Sequence, residues 1–222
     1  MKKIIFLLSI VAMATQNEAT AQSKPKAAAE HVVEMTTSLG VMKIKLYNET
    51  PKHRDNFLKL AKEGYYSGTL FHRVMKDFML QGGDPNSKTA KPGQQLGNGD
   101  LGYTIPAEFN PALVHKKGAL CAARTENPEK ASSSCQFYIV QGKKVTDAEL
   151  DGIEAQNGIK YTPAQREAYR TLGGTPFLDM GYTVFGEVIS GMEVIDKICA
   201  VKTAPGDRPV EDVKIISVKV IK

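Results

Sequence analysis

The sequence predicts a mostly β fold, a barrel or a sandwich, with two core helices and a helical insertion. Short apolar runs bounded by glycine or proline recur along the chain, which is the pattern of short strands. Only two segments outside the insertion have the apolar spacing of a core helix, and residues 144–173 combine two helix-start motifs with a mostly polar composition. Many short strands with few core helices are typical of all-β architectures.

The strand predictions begin with a hairpin. Residues 32–37 form a first run that is predicted to be a strand, residues 38–40 supply a turn, and residues 41–47 alternate between apolar and lysine side chains. A period of two predicts a strand with one buried face, which suits a hairpin partner of the first run. Further short strands are predicted at 70–75, 78–81, 118–122, 136–140, 182–188 and 213–221.

The helices are predicted from caps and apolar faces. The first begins with Thr50 as N-cap and Pro51 at the first helical position, and Gly64 ends it. The second covers Met192–Cys199, whose apolar residues recur on one side. The insertion at 144–173 has two capping boxes, in each of which Glu or Gln follows Thr by three positions. Because few of its side chains are apolar, we expect a helical pair on the surface rather than in the core.

The first 21 residues have the order of a secretory signal peptide. Lys2 and Lys3 precede an apolar stretch at 4–14, and small residues at 19–21 form a cleavage site. The stretch is shorter than the roughly 20 residues that cross a bilayer. We therefore expect export of a chain that begins at Gln22, to the periplasm or the medium, with no stable membrane insertion after cleavage.

The rest of the chain is predicted to be one domain, residues 31–222, behind a flexible lead-in at 22–30. The net charge is +5, from 29 basic and 24 acidic residues scattered along the sequence. No basic run alternates with aromatic residues, as a groove for single-stranded nucleic acid would require. We expect a monomer that does not bind nucleic acid.

The cysteines and histidines predict neither a metal site nor a thiol nucleophile. Cys121, Cys135 and Cys199 are an odd number for an exported chain and have apolar neighbours, which favours inert thiols in the core. The four histidines show no metal-ligand spacing. We therefore expect no metal and no cofactor.

Four ordered motifs carry a resemblance to a known family. They are FHRVMKDFMLQGGD at 71–84, GALCAAR at 118–124, SCQFYI at 134–139, and the segment 178–188. Together they resemble the signature of the cyclophilin-type peptidyl-prolyl cis-trans isomerases, over residues 32–222 except the insertion. The resemblance implies a closed eight-stranded antiparallel β-barrel capped by two α-helices, and a bacterial, exported enzyme that assists protein folding.

The implied activity is rotation about X-Pro bonds in unfolded proteins or peptides. The amide barrier is about 18–20 kcal/mol, and uncatalysed X-Pro isomerisation takes tens to hundreds of seconds. Neither a nucleophile nor a metal is needed, only a preference for the twisted amide, in which the lone pair is localised on nitrogen. The resemblance implies that Arg73 donates a hydrogen bond to that nitrogen. Arginine suits this task because it stays charged and its donors form a rigid fork.

The resemblance also implies ten substrate-binding residues. The walls of a proline pocket would be Phe78, Met79, Tyr138 and Leu178, with Phe177 and Tyr182 at the rim. The peptide backbone would contact Ala123, Arg124 and Gln136. Gln81 would orient Arg73 and reach the substrate carbonyl. A simple two-residue hairpin would instead place Leu80 opposite Arg73, so the residues alone leave the Gln81 pairing open.

Four of these positions differ from many eukaryotic family members. Phe177 stands where they carry Trp, Tyr182 where they carry His, Tyr138 where they carry Phe, and Arg124 where they carry Asn. The pocket stays apolar, so we expect turnover to be retained.

Two other function classes stay open from the sequence. A non-catalytic binding module or chaperone on the same fold could hold proline segments, although Arg73 argues against it. A barrel for an unrelated ligand, such as a lipid, conflicts with the polar insertion and the four motifs. Because the insertion starts just after Tyr138 and ends just before Phe177, we expect it to flank the groove. It would then either influence which protein clients are accepted, without a part in bond rotation, or be a neutral elaboration of the surface.

Overall fold

The computed structural model describes residues 31–222, and the predicted signal peptide and lead-in lie outside the described residues. The strands are β1 His31–Thr37, β2 Gly40–Leu46, β3 Phe71–Met75, β4 Met79–Gly82, β5 Thr104–Ile105, β6 Ala119–Ala122, β7 Ser132–Ser133, β8 Phe137–Val140, β9 Val184–Ser190 and β10 Ile215–Val220. The α-helices are α1 Pro51–Lys62, α2 Asp147–Asn157, α3 Pro163–Thr171 and α4 Met192–Cys199. Two short 3₁₀ helices cover Pro85–Thr89 and Pro176–Leu178.

Eight strands form one antiparallel sheet in the order β10-β1-β2-β9-β6-β8-β4-β3. The sheet is strongly curled but open, so the expectation of a closed barrel is wrong. The edge strands β10 and β3 share no ladder and approach at an isolated bridge between Leu70 and Lys214. Farther along β3, the loop before β10 takes the place of a strand partner, because the Val74 N–H donates to the Asp207 carbonyl at 2.8 Å. The fold is therefore a mostly β half-barrel with four α-helices.

The β3–β4 hairpin has a three-residue loop, residues 76–78, because Met75 pairs with Met79. Asp77 adopts a left-handed conformation with φ 63°, which aspartate tolerates better than most residues. This extra residue sets the register, so that Arg73 lies opposite Gln81. A simple two-residue hairpin, which would pair Arg73 with Leu80, is therefore wrong for this connection.

The main core lies inside the curled sheet, against α1 and α4. Phe57 of α1 stacks on Tyr66 and meets Phe137 of β8 edge-on, with ring centroids 4.7 and 5.6 Å apart. Thr50 and Pro51 stand at the predicted start of α1, but the Thr50 side chain makes no capping hydrogen bond.

A distant carboxylate caps α1 instead. The side chain of Glu108 accepts hydrogen bonds from the backbone N–H groups of Lys52 and His53, at 3.1 and 3.0 Å. An acidic group at a helix N-terminus is also favoured by the helix dipole.

The inserted helices α2 and α3 both begin with the predicted capping boxes, which are confirmed at Thr146 and Thr162. The expectation of few buried side chains holds only in part. The insertion has a small core of its own, separate from the main one, made of Val114, Val145, Leu150, Tyr161 and Tyr169.

Within residues 31–222 no helix has the length and apolar character needed to cross a membrane. In the same part of the chain, no cluster of three or more His, Cys, Asp or Glu side chains is arranged to hold a metal ion. The three cysteines are buried and unpaired, and burial raises the pKa of the Cys199 thiol to about 12.

Candidate active site

One cavity gathers most of the residues predicted for the site. Its volume of about 110 Å³ is several times the roughly 10–15 Å³ that a single water molecule needs, so a small ring could enter. Two predicted residues, Gln136 and Phe177, lie outside the lining and contact residues within it. The lining consists of Arg73, Phe78, Met79, Gln81, Ala123, Arg124, Tyr138, Leu178 and Tyr182.

Strand register explains why residues distant in sequence meet here. Arg73 of β3 lies opposite Gln81 of β4, and Gln81 lies opposite Tyr138 of β8. Directly paired residues point to the same face of a sheet. The three side chains therefore form one row across three neighbouring strands. Phe78 comes from the hairpin loop and Leu178 from the second 3₁₀ helix.

The Arg73 guanidinium has two weak contacts. Its Nη2 donates to the Met75 sulfur at 3.1 Å, and its Nε lies 3.6 Å from a carboxylate oxygen of Asp207. A thioether is a poor acceptor, and an ion pair with both side chains about 40% exposed contributes little. Sequence reasoning missed Asp207, because nothing in the sequence brings a loop 134 positions away to β3.

Gln81 is held from behind by Gln136. The Gln81 amide donates to the Gln136 side-chain oxygen at 3.0 Å, and the Gln136 amide donates to the carbonyls of Gly97 and Gly99 at 2.9 and 2.7 Å. The Asp84 carboxylate in turn accepts the backbone N–H of Gly97 at 2.5 Å. Gln136 thus lies behind Gln81 rather than in the lining of the cavity.

The end of β4 requires a glycine. Gly83 has φ 92°, and a Cβ there would lie 2.2 Å from the carbonyl oxygen of Cys135. Only glycine allows this approach of two backbones without a shift of one of them. The glycine pair of the 71–84 motif therefore brings β4 close to β8, and Gln81 close to Gln136.

Tyr138 is buried, and its ring forms one wall of the cavity. Its hydroxyl lies 3.0 Å from Nε2 of His115, while its ring meets that of Tyr182 edge-on at 5.9 Å. Burial raises the pKa of the Tyr138 phenol well above its usual range. Sequence reasoning gave His115 no role. The available signal was the tyrosine itself, because a buried hydroxyl needs a hydrogen-bond partner that phenylalanine would not need.

The rim of the cavity is more exposed than its walls. Phe177 is 59% exposed and stacks on Phe78 with centroids 5.8 Å apart. The Arg124 guanidinium lies 4.6 Å from the centre of the Tyr182 ring, and its Nε donates to the Gly181 carbonyl at 3.1 Å. Arg124 is thereby fixed beside the groove.

Comparison with known proteins identifies the family. The family model described as cyclophilin type peptidyl-prolyl cis-trans isomerase/CLD matches residues 32–220. The chain belongs to the cyclophilin family. This cyclophilin is therefore an enzyme of the peptidyl-prolyl cis-trans isomerase class.

Two bacterial proteins are among those similar to this chain. A Staphylococcus aureus protein named as a peptidyl-prolyl cis-trans isomerase is 39% identical over 85% of this chain and 90% of its own length. A Streptococcus pyogenes protein, named as a bifunctional phosphatase/peptidyl-prolyl cis-trans isomerase, is also 39% identical, but this cyclophilin spans 38% of its length.

Solved structures show the same fold. The crystal structure of a cyclophilin-type isomerase from Cryptosporidium parvum has a TM-score of 0.63 and 25% identity, over 87% of this chain and 99% of that one. A second structure of that enzyme, in the presence of the dipeptide Ala-Pro, has a TM-score of 0.61 and 25% identity, over 86% of this chain and 99% of that one.

Proposed function

We propose that this cyclophilin rotates X-Pro bonds in unfolded or exported proteins, and thereby assists their folding, with Arg73 as the catalytic residue. The observation that carries the proposal is the position of Arg73 on the lining of a cavity whose apolar walls are Phe78, Met79, Tyr138 and Leu178. A proline ring in that cavity would bring its amide nitrogen near the guanidinium.

The weak contacts of Arg73 suit the reaction. In the planar amide the nitrogen lone pair is shared with the carbonyl, and in the twisted amide it is localised and accepts a hydrogen bond. Only an interaction that strengthens in the twisted state accelerates rotation. Arg73 can exchange the Met75 thioether and the Asp207 carboxylate for that nitrogen at little loss, because both contacts are weak.

Gln81 would hold the substrate carbonyl. A glutamine amide has two N–H donors, and one of them is directed to Gln136. Since the Gln136 amide bridges two backbone carbonyls, Gln81 is oriented before the substrate arrives. The second N–H is the donor that we assign to the substrate carbonyl.

The apolar walls would supply affinity rather than rotation. Burying a proline ring contributes about 2 kcal/mol at roughly 25 cal/mol per Å². This energy is gained in the planar and twisted states alike, so it lowers KM without raising kcat. The Ala-Pro dipeptide in the structure of the Cryptosporidium parvum relative is consistent with a proline-containing ligand.

The test uses purified protein and an X-Pro tetrapeptide. Arg73→Ala should lower kcat/KM by at least about tenfold, a loss of about 1.4 kcal/mol of transition-state stabilisation. Arg73→Lys should restore little, because a point charge does not reproduce the fork. Absence of turnover in the wild-type protein, with retained peptide binding, would favour the non-catalytic binding module. Full activity of the alanine variant with an unchanged circular dichroism spectrum would refute the role of Arg73.

We further propose that the protein is exported, to the periplasm or the medium, and acts as a monomer. The support is the basic, apolar and small-residue order of positions 1–21. Intact mass of the protein recovered from its native host should correspond to a chain that begins at Gln22. Recovery of the uncleaved chain from the cytosol would contradict this location.

A further inference from the structure

One buried carboxylate connects the helical insertion to the candidate pocket. Asp179 directly follows Leu178, and its side chain is buried. One of its oxygens accepts hydrogen bonds from the backbone N–H and Nδ1 of His115, at 2.8 and 2.6 Å. The other oxygen accepts the hydroxyls of Tyr161 and Tyr169, at 2.8 and 2.5 Å. Four donors satisfy the charge, as a buried carboxylate requires.

From His115 the contacts continue to the pocket wall. Nδ1 of His115 donates to the Asp179 carboxylate, because a carboxylate only accepts, and Nε2 lies on the opposite side of the ring. That nitrogen and the Tyr138 hydroxyl, 3.0 Å apart, share a hydrogen bond. Asp179 thus orients the imidazole, and the imidazole holds the hydroxyl of a ring that lines the pocket.

The backbone just after the insertion, at residues 174 and 175, fixes His115 from a second direction. The Thr175 N–H donates to the His115 carbonyl at 2.8 Å. A Cβ at Gly174 would lie 2.3 Å from that carbonyl oxygen and 2.6 Å from a ring carbon of Tyr169. The backbone that leaves the insertion therefore packs directly against His115, and the Tyr169 ring packs against the same backbone at Gly174.

We propose that Asp179, Tyr161 and Tyr169 are positioning residues that hold the Tyr138 ring in the wall of the proline pocket. The insertion then supports turnover of short peptides, and does not act only on the choice of protein clients. This inference rests on the proposed function of the pocket. Without the two tyrosine hydroxyls, half of the donors to Asp179 are lost. The carboxylate is then free to turn away from His115 and to release Tyr138.

The test variant is Tyr161→Phe combined with Tyr169→Phe, which keeps both rings and removes both donors. We expect kcat/KM for a tetrapeptide to fall about five- to tenfold, mainly through a higher KM, because the wall binds the planar and twisted states alike. In a Tyr138→Phe background the same double change should lower kcat/KM less than about twofold, since the hydroxyl through which it acts is gone.

Tyr103→Phe is the matched control. It removes a tyrosine hydrogen bond of 2.7 Å, to Asn56, that does not involve Asp179, and it should leave kcat/KM unchanged. An equal loss in the wild-type and Tyr138→Phe backgrounds would overturn the proposal, because it would show that the insertion acts independently of Tyr138. If the double variant fails to fold, Tyr161→Phe alone should give a smaller effect with the same dependence on Tyr138.

A readout without turnover separates this inference from the proposed function. In the free protein, the aromatic ¹H–¹³C resonances of Tyr138 should shift in the double variant, and the affinity for Ala-Pro should weaken. Unchanged resonances and affinity would overturn the inference even if the enzyme is active. If the wild-type protein proves inactive, the proposed function fails, while the Tyr138 resonances and the Ala-Pro affinity still decide the positioning role.

Discussion

The two sides of the candidate pocket are held in opposite ways. Arg73 is about 40% exposed and contacts a thioether and a carboxylate 3.6 Å away. Tyr138 is buried and connected through His115 to Asp179, whose carboxylate accepts four hydrogen bonds. A group that acts in the twisted state works best when its contacts before substrate binding are weak, because it must exchange them for the substrate. A pocket wall that binds both isomers works best when it is rigid. Substitutions on the Arg73 side should therefore affect activity first, and those on the Tyr138 side stability first.

The largest difference in stability is expected between the variants Asp179→Ala and Arg73→Ala. The first leaves four donors without their acceptor and should lower the free energy of unfolding by about 3–5 kcal/mol. The second removes a half-exposed side chain and should change it by less than about 1 kcal/mol. Urea denaturation of both variants checks this. Equal losses would mean that the two sides are not held differently.

The second prediction concerns His72, which is buried in β3 beside Arg73. In the described structure neither of its ring nitrogens has a hydrogen-bond partner. Burial lowers its pKa to about 4, helped by the charges of Arg73 and Arg208 and opposed by Asp84. An unfolded histidine titrates near 6.5. Between these values the unfolded chain binds more protons, so stability should fall by up to about 3 kcal/mol as the pH drops from about 6.5 to 4.

Unfolding midpoints in urea at pH 7 and pH 4.5 measure this effect. His72→Gln should flatten the pH dependence, and His31→Gln, at the start of β1, is the matched control. Part of the dependence should remain, because burial also lowers the pKa of His53, against the influence of Glu108. An unchanged profile in His72→Gln would show that His72 is protonated in the folded state at a higher pH than its burial implies.

A smaller effect is expected at Gln136, behind Gln81. Gln136→Ala removes the acceptor that orients Gln81 and should lower kcat/KM about tenfold, or about 1.4 kcal/mol. Gln136→Glu keeps that acceptor but loses both donors to the carbonyls of Gly97 and Gly99, so it should not restore activity. Wild-type rates in either variant would show that Gln81 does not need this support.

The smallest effect is expected at Asp207, the exposed partner of Arg73. Asp207→Asn should change kcat/KM by about twofold or less and stability by less than about 0.5 kcal/mol, as is usual for an exposed ion pair. Raising the salt concentration should have the same small effect on the wild-type enzyme. A tenfold change would mean that Asp207 orients Arg73 during turnover, and that the two sides of the pocket are held in more similar ways.

Local chemistry in the sequence accounts for much of the fold. Helix α4 begins and ends at the predicted residues 192 and 199, and both capping boxes form, because these features depend on neighbours within a few positions. The open sheet edge and the cap of α1 by Glu108 depend on packing between distant segments. Composition and periodicity carry no information about such contacts.

The candidate site divides in the same way. The motifs were sufficient to select nine residues that the structure brings around one cavity, and their roles in catalysis stay predictions. Gln136, which supports Gln81, was also selected, but the residues that support Tyr138 were not found. Asp179 and His115 are 64 positions apart, and neither has a neighbour in sequence that points to a buried pair.

Two connections beside the pocket, the one after β8 and the one between β3 and β4, differ in the changes of length that they tolerate. The chain between β8 and the second 3₁₀ helix carries a whole helical pair, and β8 just before it pairs with β4 without a register shift. The loop between β3 and β4 has no such tolerance. One residue more or fewer at 76–78 would slide β4 by one position and turn Met79 and Gln81 to the opposite face of the sheet. Insertions can thus add new surface after β8. An insertion or deletion in the hairpin loop would leave the strands paired, but it would remove the Gln81 amide from the pocket.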